Sequence, residues 1–413
     1  MAEVGLARSH RRRPLSGRDP NEAHRAATPL ELLYDLTFVV AFGTAADQLA
    51  YYLAGGHLGP AIGGFCFAVF AVTWAWMNYS WFASAYDNDD WVFRVATMVQ
   101  MVGVIVLSLG IPEMFASIDR GGTLDVGVMV AGYVVMRVPM LFLWWLVARH
   151  DPARAPAARK YIWTIGVAQF GWVGLTLLGL PISTFLLLGS VLFAVELVGP
   201  VLAERQSPTP WHARHIAERH GLLVIITLGE GVLGTVVALS ALVHTEHGWT
   251  LDAALLAVAG IGLTFGLWWM YFVVPWGEVL QRHRERSWAW GIGHILLFGS
   301  IAATGAGLHV AAYFLEGVAT LSDTATVLTV AVPVAVFVLA LYAIGSVFLR
   351  QRDPFHLLLL AGTAAVLGLA VVCAQMGVSM SWCLVLLMLA PTVTVVGYET
   401  VGHRHLATAL LAN

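Results

Sequence analysis

Glu31 and Asp35 stand four residues apart at the opening of an apolar run, Glu31-Leu-Leu-Tyr-Asp35, so a helix there carries both on one face. Two carboxylates held that close compete for ionisation, and one keeps its proton to higher pH. That suits proton carriage, cation coordination or general acid–base work. A third carboxylate, Glu230, lies near the middle of another apolar run in Thr227-Leu-Gly229-Glu230-Gly231. A carboxylate at that depth is neutral unless paired. Arg137, the one arginine strictly inside an apolar run, is at similar depth and is its expected partner, with Glu196 an alternative contact. The glycines beside Glu230 let a neighbouring helix or a ligand come close.

Asp87-Asn-Asp89-Asp90 forms a D-x-D-D pattern followed by Arg94. Clustered carboxylates can hold Mg²⁺ on a diphosphate, or one can act as a general acid, and an arginine beside them can bind phosphate oxygens. His215 and Glu218, at i and i+3, have a spacing used by metal ligands, and Arg219 follows them. The chain has no H-E-x-x-H and no Cys/His quartet, so no metal centre is expected there. Trp74, Trp76, Trp268, Trp269 and Tyr271 fall well inside apolar runs and can line an aromatic cavity or pack a core. His294 and His309 are expected to make helix–helix hydrogen bonds, and Asp47 and Glu113 to lie near the outer ends of their segments.

The elements that must position these residues follow from composition. Of 413 residues, 59% are apolar and only 11% are Asp, Glu, Lys or Arg, against about 25% charged in a soluble domain. This excludes a soluble enzyme, a disordered chain and a nucleic-acid binder. Cys66, Cys373 and Cys383 all sit in apolar runs, which excludes a disulfide scaffold. A membrane-crossing helix takes about 20 mostly apolar residues, and twelve such spans are legible: 29–53, 59–85, 92–117, 122–148, 159–178, 181–203, 214–243, 251–275, 288–315, 324–349, 355–375 and 379–400. Without period-2 alternation they read as helices rather than barrel strands. The stretch 159–203 is also readable as one long broken segment.

Lys and Arg collect on the cytoplasmic side of short loops. With twelve spans, all of the 22 basic residues except Arg120 and Arg137 fall on one side, so both termini are expected in the cytoplasm. The predicted organisation is an all-α membrane protein. It has a disordered Arg-rich tail over 1–27, a six-helix half over 28–204, a second half over 205–402 and a cytoplasmic tail over 403–413. The halves are similar. Span 1 opens on Glu31 and span 7 on Glu218; span 2 carries Trp74-Ala-Trp76-Met77 and span 8 Trp268-Trp269-Met270-Tyr271. Six helices apart, the copies have one orientation, which predicts a 6+6 parallel repeat about the membrane normal. The acidic loop 87–90 and the basic loop Arg282-His-Arg284-Glu-Arg286 would then form a charged latch or stay two separate solvated loops.

Three ordered stretches carry a family resemblance. Glu31-Leu-Leu-Tyr-Asp35-Leu-Thr-Phe-Val and the stretch Trp76 to Arg94 resemble the opening signature of the bacterial low-temperature-requirement protein A family, although Leu33 stands where that family usually has an aromatic. His215-Ile-Ala-Glu218-Arg219 through Glu230 resembles its second signature, and Trp268-Trp269-Met-Tyr271-Phe with His294 its third. The resemblance implies a polytopic protein of the bacterial inner membrane and a link to growth in the cold. It implies no mechanism.

Two functions stay open. In a secondary transporter, Glu230 with Arg137 would be the midplane coupling site and Asp35 the cytoplasmic proton relay, with Asp87, Asp89, Asp90 and the loop 282–286 arginines as inner gate. The plan is that of the major facilitators, without their loop motif. In an intramembrane enzyme, Asp87, Asp89 and Asp90 would hold Mg²⁺ on a lipid or isoprenoid diphosphate, and the Trp and Tyr rings would shelter a carbocation. Either way the partners are the bilayer and a small or lipid-like ligand.

Overall fold

The computed structural model describes residues 13–23, 25–243, 248–349 and 354–405. Arg8, Arg11, Arg12, Arg350 and Arg352, all used in the orientation argument, lie outside the described residues. The chain forms α1 (Pro29–Ala54), α2 (Leu58–Tyr86), α3 (Trp91–Arg120), α4 (Gly127–His150), α5 (Ala155–Leu177), α6 (Ile182–Gln206), α7 (Ala213–Val243), α8 (Leu251–Phe272), the short α9 (Trp276–Arg282), α10 (Ser287–Leu315), α11 (Asp323–Leu349), α12 (Pro354–Gln375) and α13 (Met380–Gly397). Twelve of these helices are long, and eleven are long and apolar enough to cross a membrane. The exception, α5, carries Arg159 and Lys160 in its second turn and Gln169 inside. No strand occurs among the described residues, only an isolated bridge between Thr123 and Pro181.

The span limits agree with the apolar runs to within a few residues, and 159–203 is two helices. Gly179 turns the chain with φ +56, a left-handed conformation that favours glycine. Ile182 N–H then donates to Gly122 carbonyl at 2.9 Å. Two features depart from expectation. Span 8 ends at Phe272, and a separate helix, α9, starts behind Pro275. Residues 13–23 and 25–27, expected as part of a disordered tail, are instead held in place. Leu15 is buried, Gly17 N–H donates to Asp151 at 3.0 Å, and Arg18 N–H donates to Ala85 carbonyl at 2.9 Å. The tail was expected to be loose because it is Arg-rich; these contacts come from its backbone and from Leu15.

Two compact units divide the chain: Met1–Thr44 with Ala71–Arg219, and Ala45–Phe70 with His220–Asn413. The divisions fall inside α1, α2 and α7. In the first unit α3 to α6 pack as successive hairpins. A Cβ on Gly103 would meet Gly132 carbonyl oxygen at 2.7 Å, and one on Gly132 would meet Gly103 carbonyl oxygen at 2.7 Å, so small residues let α3 and α4 cross backbone to backbone. In the second unit α10 is the core helix. Its Gly299, Ala302, Ala303, Gly305, Ala306 and Gly307 are buried, which lets neighbours approach closely. Val69 of α2 lies against Gly299, and Glu230 of α7 against Gly305.

Candidate functional site

The first unit gathers Glu31, Asp35, His215 and Arg219 with no side chain reaching solvent. Local sequence places the first two. Thr28-Pro29-Leu30-Glu31 is a capping box: Thr28 N–H donates to Glu31 Oε2 at 2.7 Å, and Glu31 N–H donates to Thr28 Oγ1 at 3.3 Å. Pro29 occupies the first helical position, where its missing N–H is not needed. Asp35 follows one turn later on the same face. The first two turns of α7 answer with their own i, i+4 pair, His215 and Arg219.

Arg219 Nε donates to Asp35 Oδ2 at 3.0 Å, and its Nη2 contacts Asp35 Oδ1. Its Nη1 lies 3.1 Å from Glu31 Oε1. His215 Nε2 is 3.3 Å from Glu31 Oε2. Trp76 Nε1 donates to Asp35 Oδ1 at 2.6 Å. The guanidinium sits over the Trp76 and Tyr79 rings at 5.7 and 5.6 Å, and the Tyr34 ring stacks on Tyr79 at 3.7 Å. Arg25 closes the cluster, with Nη2 3.6 Å from Glu31 Oε1 and 3.7 Å from Asp87 Oδ2. Arg25 and Arg219 were counted by sequence as topology-setting charges; both are buried ion-pair partners. Asp87, outside the spans, is pushed up to about 6 by its burial and by the Glu31 carboxylate, against the pull of the Asp89 N–H and Arg25.

The Asp87-Asn-Asp89-Asp90 cluster does not converge on a metal. Asp90 caps α3, accepting from Phe93 N–H at 2.8 Å. Asp89, at φ +52, pairs with Arg94 through two hydrogen bonds of 2.8 and 2.9 Å. Asp87 accepts from Asp89 N–H at 2.8 Å and faces Arg25. Turn and cap geometry point the three carboxylates to three partners, and no group of three His, Cys, Asp or Glu residues able to hold a metal occurs among the described residues. Glu218 is exposed and accepts from Ala27 N–H at 3.3 Å, away from His215's partner Glu31. Arg286, from the basic loop, pairs with Glu285 at 3.3 Å.

Arg137 is paired, but with the alternative partner: its Nη2 is 2.7 Å from Glu196 Oε2. Trp74 Nε1 contacts the same oxygen, and Trp172 Nε1 donates to Glu196 Oε1 at 3.1 Å. Chain-adjacent packing of α4, α5 and α6 brings Glu196 to Arg137, so depth alone had named the wrong carboxylate. Beside Arg137 lies a cavity of about 10 Å³, lined also by Tyr34, Asn78, Gln100 and Tyr133, the size that admits one water.

In the second unit, Glu230 is buried, and its backbone packs against Gly305 of α10. Tyr271 and His294 meet as expected of a helix–helix hydrogen bond, Oη to Nε2 at 3.0 Å, with Trp290 carbonyl on Nδ1 at 2.7 Å. Trp268 and Trp269 are exposed rather than packed in a core, and Trp269 Nε1 donates to Glu399 at 3.2 Å. Glu113 pairs with Arg120 at 2.5 Å in the open, as its place near a segment end implied.

The sequence pattern of the family described as bacterial low temperature requirement A protein (LtrA) matches residues 26–391. That stretch contains every residue of the buried cluster except Arg25. An uncharacterized protein of Rhizobium meliloti (strain 1021) is 25% identical over 309 residues, which cover 70% of each chain. No solved structure matches the chain. With eleven helices able to cross a membrane and the family pattern spanning most of its length, this chain is a membrane protein that belongs to the bacterial low temperature requirement A family.

Proposed function

We propose that the chain is a proton-coupled secondary transporter of a small solute and that the cluster around Glu31 is its coupling site. One observation carries the reading: three buried carboxylates (Glu31, Asp35 and Asp87) face two buried guanidinium groups, those of Arg25 and Arg219. With His215 neutral, the cluster is one negative charge in excess, and one proton makes it neutral. Replacing a buried ion pair by apolar side chains is often neutral or stabilising, so stability alone does not account for this set, and ionisable groups within spanning helices mark proton and ion pathways. Glu31 is the hub, held as an anion by a capping N–H, two arginines and His215. The exchangeable proton therefore falls to Asp87, the carboxylate with the poorest pairing, and its arrival frees Arg25 to serve Glu31 alone.

In this reading the termini face the cytoplasm of the bacterial inner membrane and the two six-helix halves are a parallel pseudo-repeat. The sidedness of the Lys and Arg residues supports that orientation even with Arg25 and Arg219 set aside as buried partners. The test uses everted membrane vesicles energised to a pH gradient and containing the full chain. A panel of solutes is added, and collapse of the gradient is followed by a pH-sensitive dye. At least one solute class collapses it only in vesicles that hold the chain; a panel without such a solute contradicts the reading.

A further inference from the structure

A second set of titratable side chains converges in the other unit, on the C-terminal part of α1, the middle of α7 and the end of α10. His309 Nδ1 is 3.2 Å from Asp47 Oδ1. The Asp47 side chain is 62% exposed, that of His309 only 9%, and Glu230 is 2% exposed. The other ring nitrogen, His309 Nε2, is buried without a hydrogen-bond partner.

Helix contacts show where that nitrogen points. A Cβ on Gly234 would lie 2.8 Å from His309 Cδ2, the ring carbon bonded to Nε2, and 2.6 Å from Gly305 carbonyl oxygen. A Cβ on Gly305 would lie 2.5 Å from the Glu230 backbone. Glu230 and Gly234 are one turn apart on α7, and Gly305 and His309 one turn apart on α10, so each pair shares a face. The Nε2 edge of the imidazole therefore faces α7 one turn from Glu230, across a glycine contact that brings the helices close.

We propose that Asp47, His309 and Glu230 form a second proton-binding site, in which Asp47 and His309 pass a proton from the exposed end of α1 to the buried Glu230. The imidazole has the two nitrogens this needs: Nδ1 on the Asp47 carboxylate and Nε2 turned to the α7 face. A proton taken up at Nδ1 leaves from Nε2, and the ring ends as the other neutral tautomer. No bond other than N–H and O–H forms or breaks.

Among the described residues, the charged and titratable groups around His309 are few. Asp47 comes from α1, Glu230 from α7, and Tyr313 with Glu316 from its own end of the chain. Among the other helices packed against α10, α2 has no charged residue, α8 and α9 meet it at His294 and Trp290, and the one charged residue of α11, Asp323, opens its first turn. The proposal rests on the proton-coupled reading above for what the proton does next; the binding itself stands on these contacts.

Infrared difference spectroscopy of the purified full chain in lipid nanodiscs, taken across pH without any solute, reads the site directly. A protonated-carboxyl band that follows pH is expected, and Glu230→Gln removes it. His309→Gln moves its midpoint, and Asp47→Asn, a change at an exposed side chain, moves it by roughly threefold in proton concentration, as an exposed charge pair should. A band that persists in Glu230→Gln overturns the proposal. So does a midpoint unmoved in Asp47→Asn, and so does a band removed by sodium at constant pH. An intact, titrating band in a chain that fails the vesicle test contradicts the transporter reading and leaves this site standing.

Discussion

Arg219 holds Asp35 by a two-point contact in which neither side chain reaches solvent, with Nε donating to Oδ2 at 3.0 Å and Nη2 on Oδ1. The pair joins the first turns of α1 to the second turn of α7, and the Trp76 indole donates to the same carboxylate. Its planar fork is a geometry that lysine cannot reproduce.

Breaking one side of that pair strands a buried charge. Arg219→Gln should destabilise the detergent-solubilised chain by about 3–5 kcal/mol. The double change Asp35→Asn with Arg219→Gln should recover part of the loss, because two neutral amides leave no charge uncompensated. Unfolding followed in mild detergent separates the cases. A double variant no more stable than Arg219→Gln would contradict the pairing.

Glu196 carries a parallel expectation. It accepts from Arg137, Trp74 and Trp172, so Glu196→Gln leaves Arg137 buried and unpaired and should cost about 3–5 kcal/mol. Trp172 fluorescence should shift as its indole loses a charged acceptor. An unchanged melting temperature and spectrum would show that the contact contributes nothing.

Much of this was legible in residue spacing, and the misses have physical causes. The i, i+4 carboxylates of α1 announced the site, and apolar run lengths placed the helices. Arg25 was counted only as a topology-setting charge, and Arg219, though a candidate coupling residue, was counted there too, because a positive charge near a span end obeys the same sidedness rule whether it is solvated or buried. The capping box in Thr28-Pro29-x-Glu31 was a signal available in the sequence, and it places Glu31 in the first turn of α1. Arg137's partner was beyond reach from depth alone. Depth pointed to Glu230, and the α4–α5–α6 hairpins chose Glu196. The exposure of Trp268 and Trp269 depends on which side of α8 its neighbours cover, which helical spacing does not encode.

Asp87 supplies a pH dependence with a definite sign. Its folded-state pKa is raised from 3.8 to about 6, so between those values the folded chain binds more protons than the unfolded one. Its contribution is fully present below about pH 4 and is lost as pH rises through about 6. Asp87→Asn should flatten the fall in stability over that window by roughly 2–3 kcal/mol. Unfolding midpoints measured across it give the slope; equal slopes in both proteins would contradict the raised pKa.

Gly132 tests the close crossing of α3 and α4. A Cβ there would lie 2.7 Å from both Gly103 carbonyl oxygen and Leu107 Cα, backbone atoms that cannot rotate away. Gly132→Ala must push the helices apart and should cost about 1–3 kcal/mol. Gly166→Ala, with open space around its Cβ, is the matched control, and equal stability losses in the two would contradict the packing.

The account turns on the one proton that neutralises the cluster. With the solute found in the vesicle screen, reconstituted Asp87→Asn is compared with the unmodified chain in two modes: solute counterflow without a gradient, and uptake driven by a pH gradient. Counterflow retained with gradient-driven uptake reduced to that of protein-free liposomes is the predicted result. Gradient-driven uptake equal to that of the unmodified chain would contradict it.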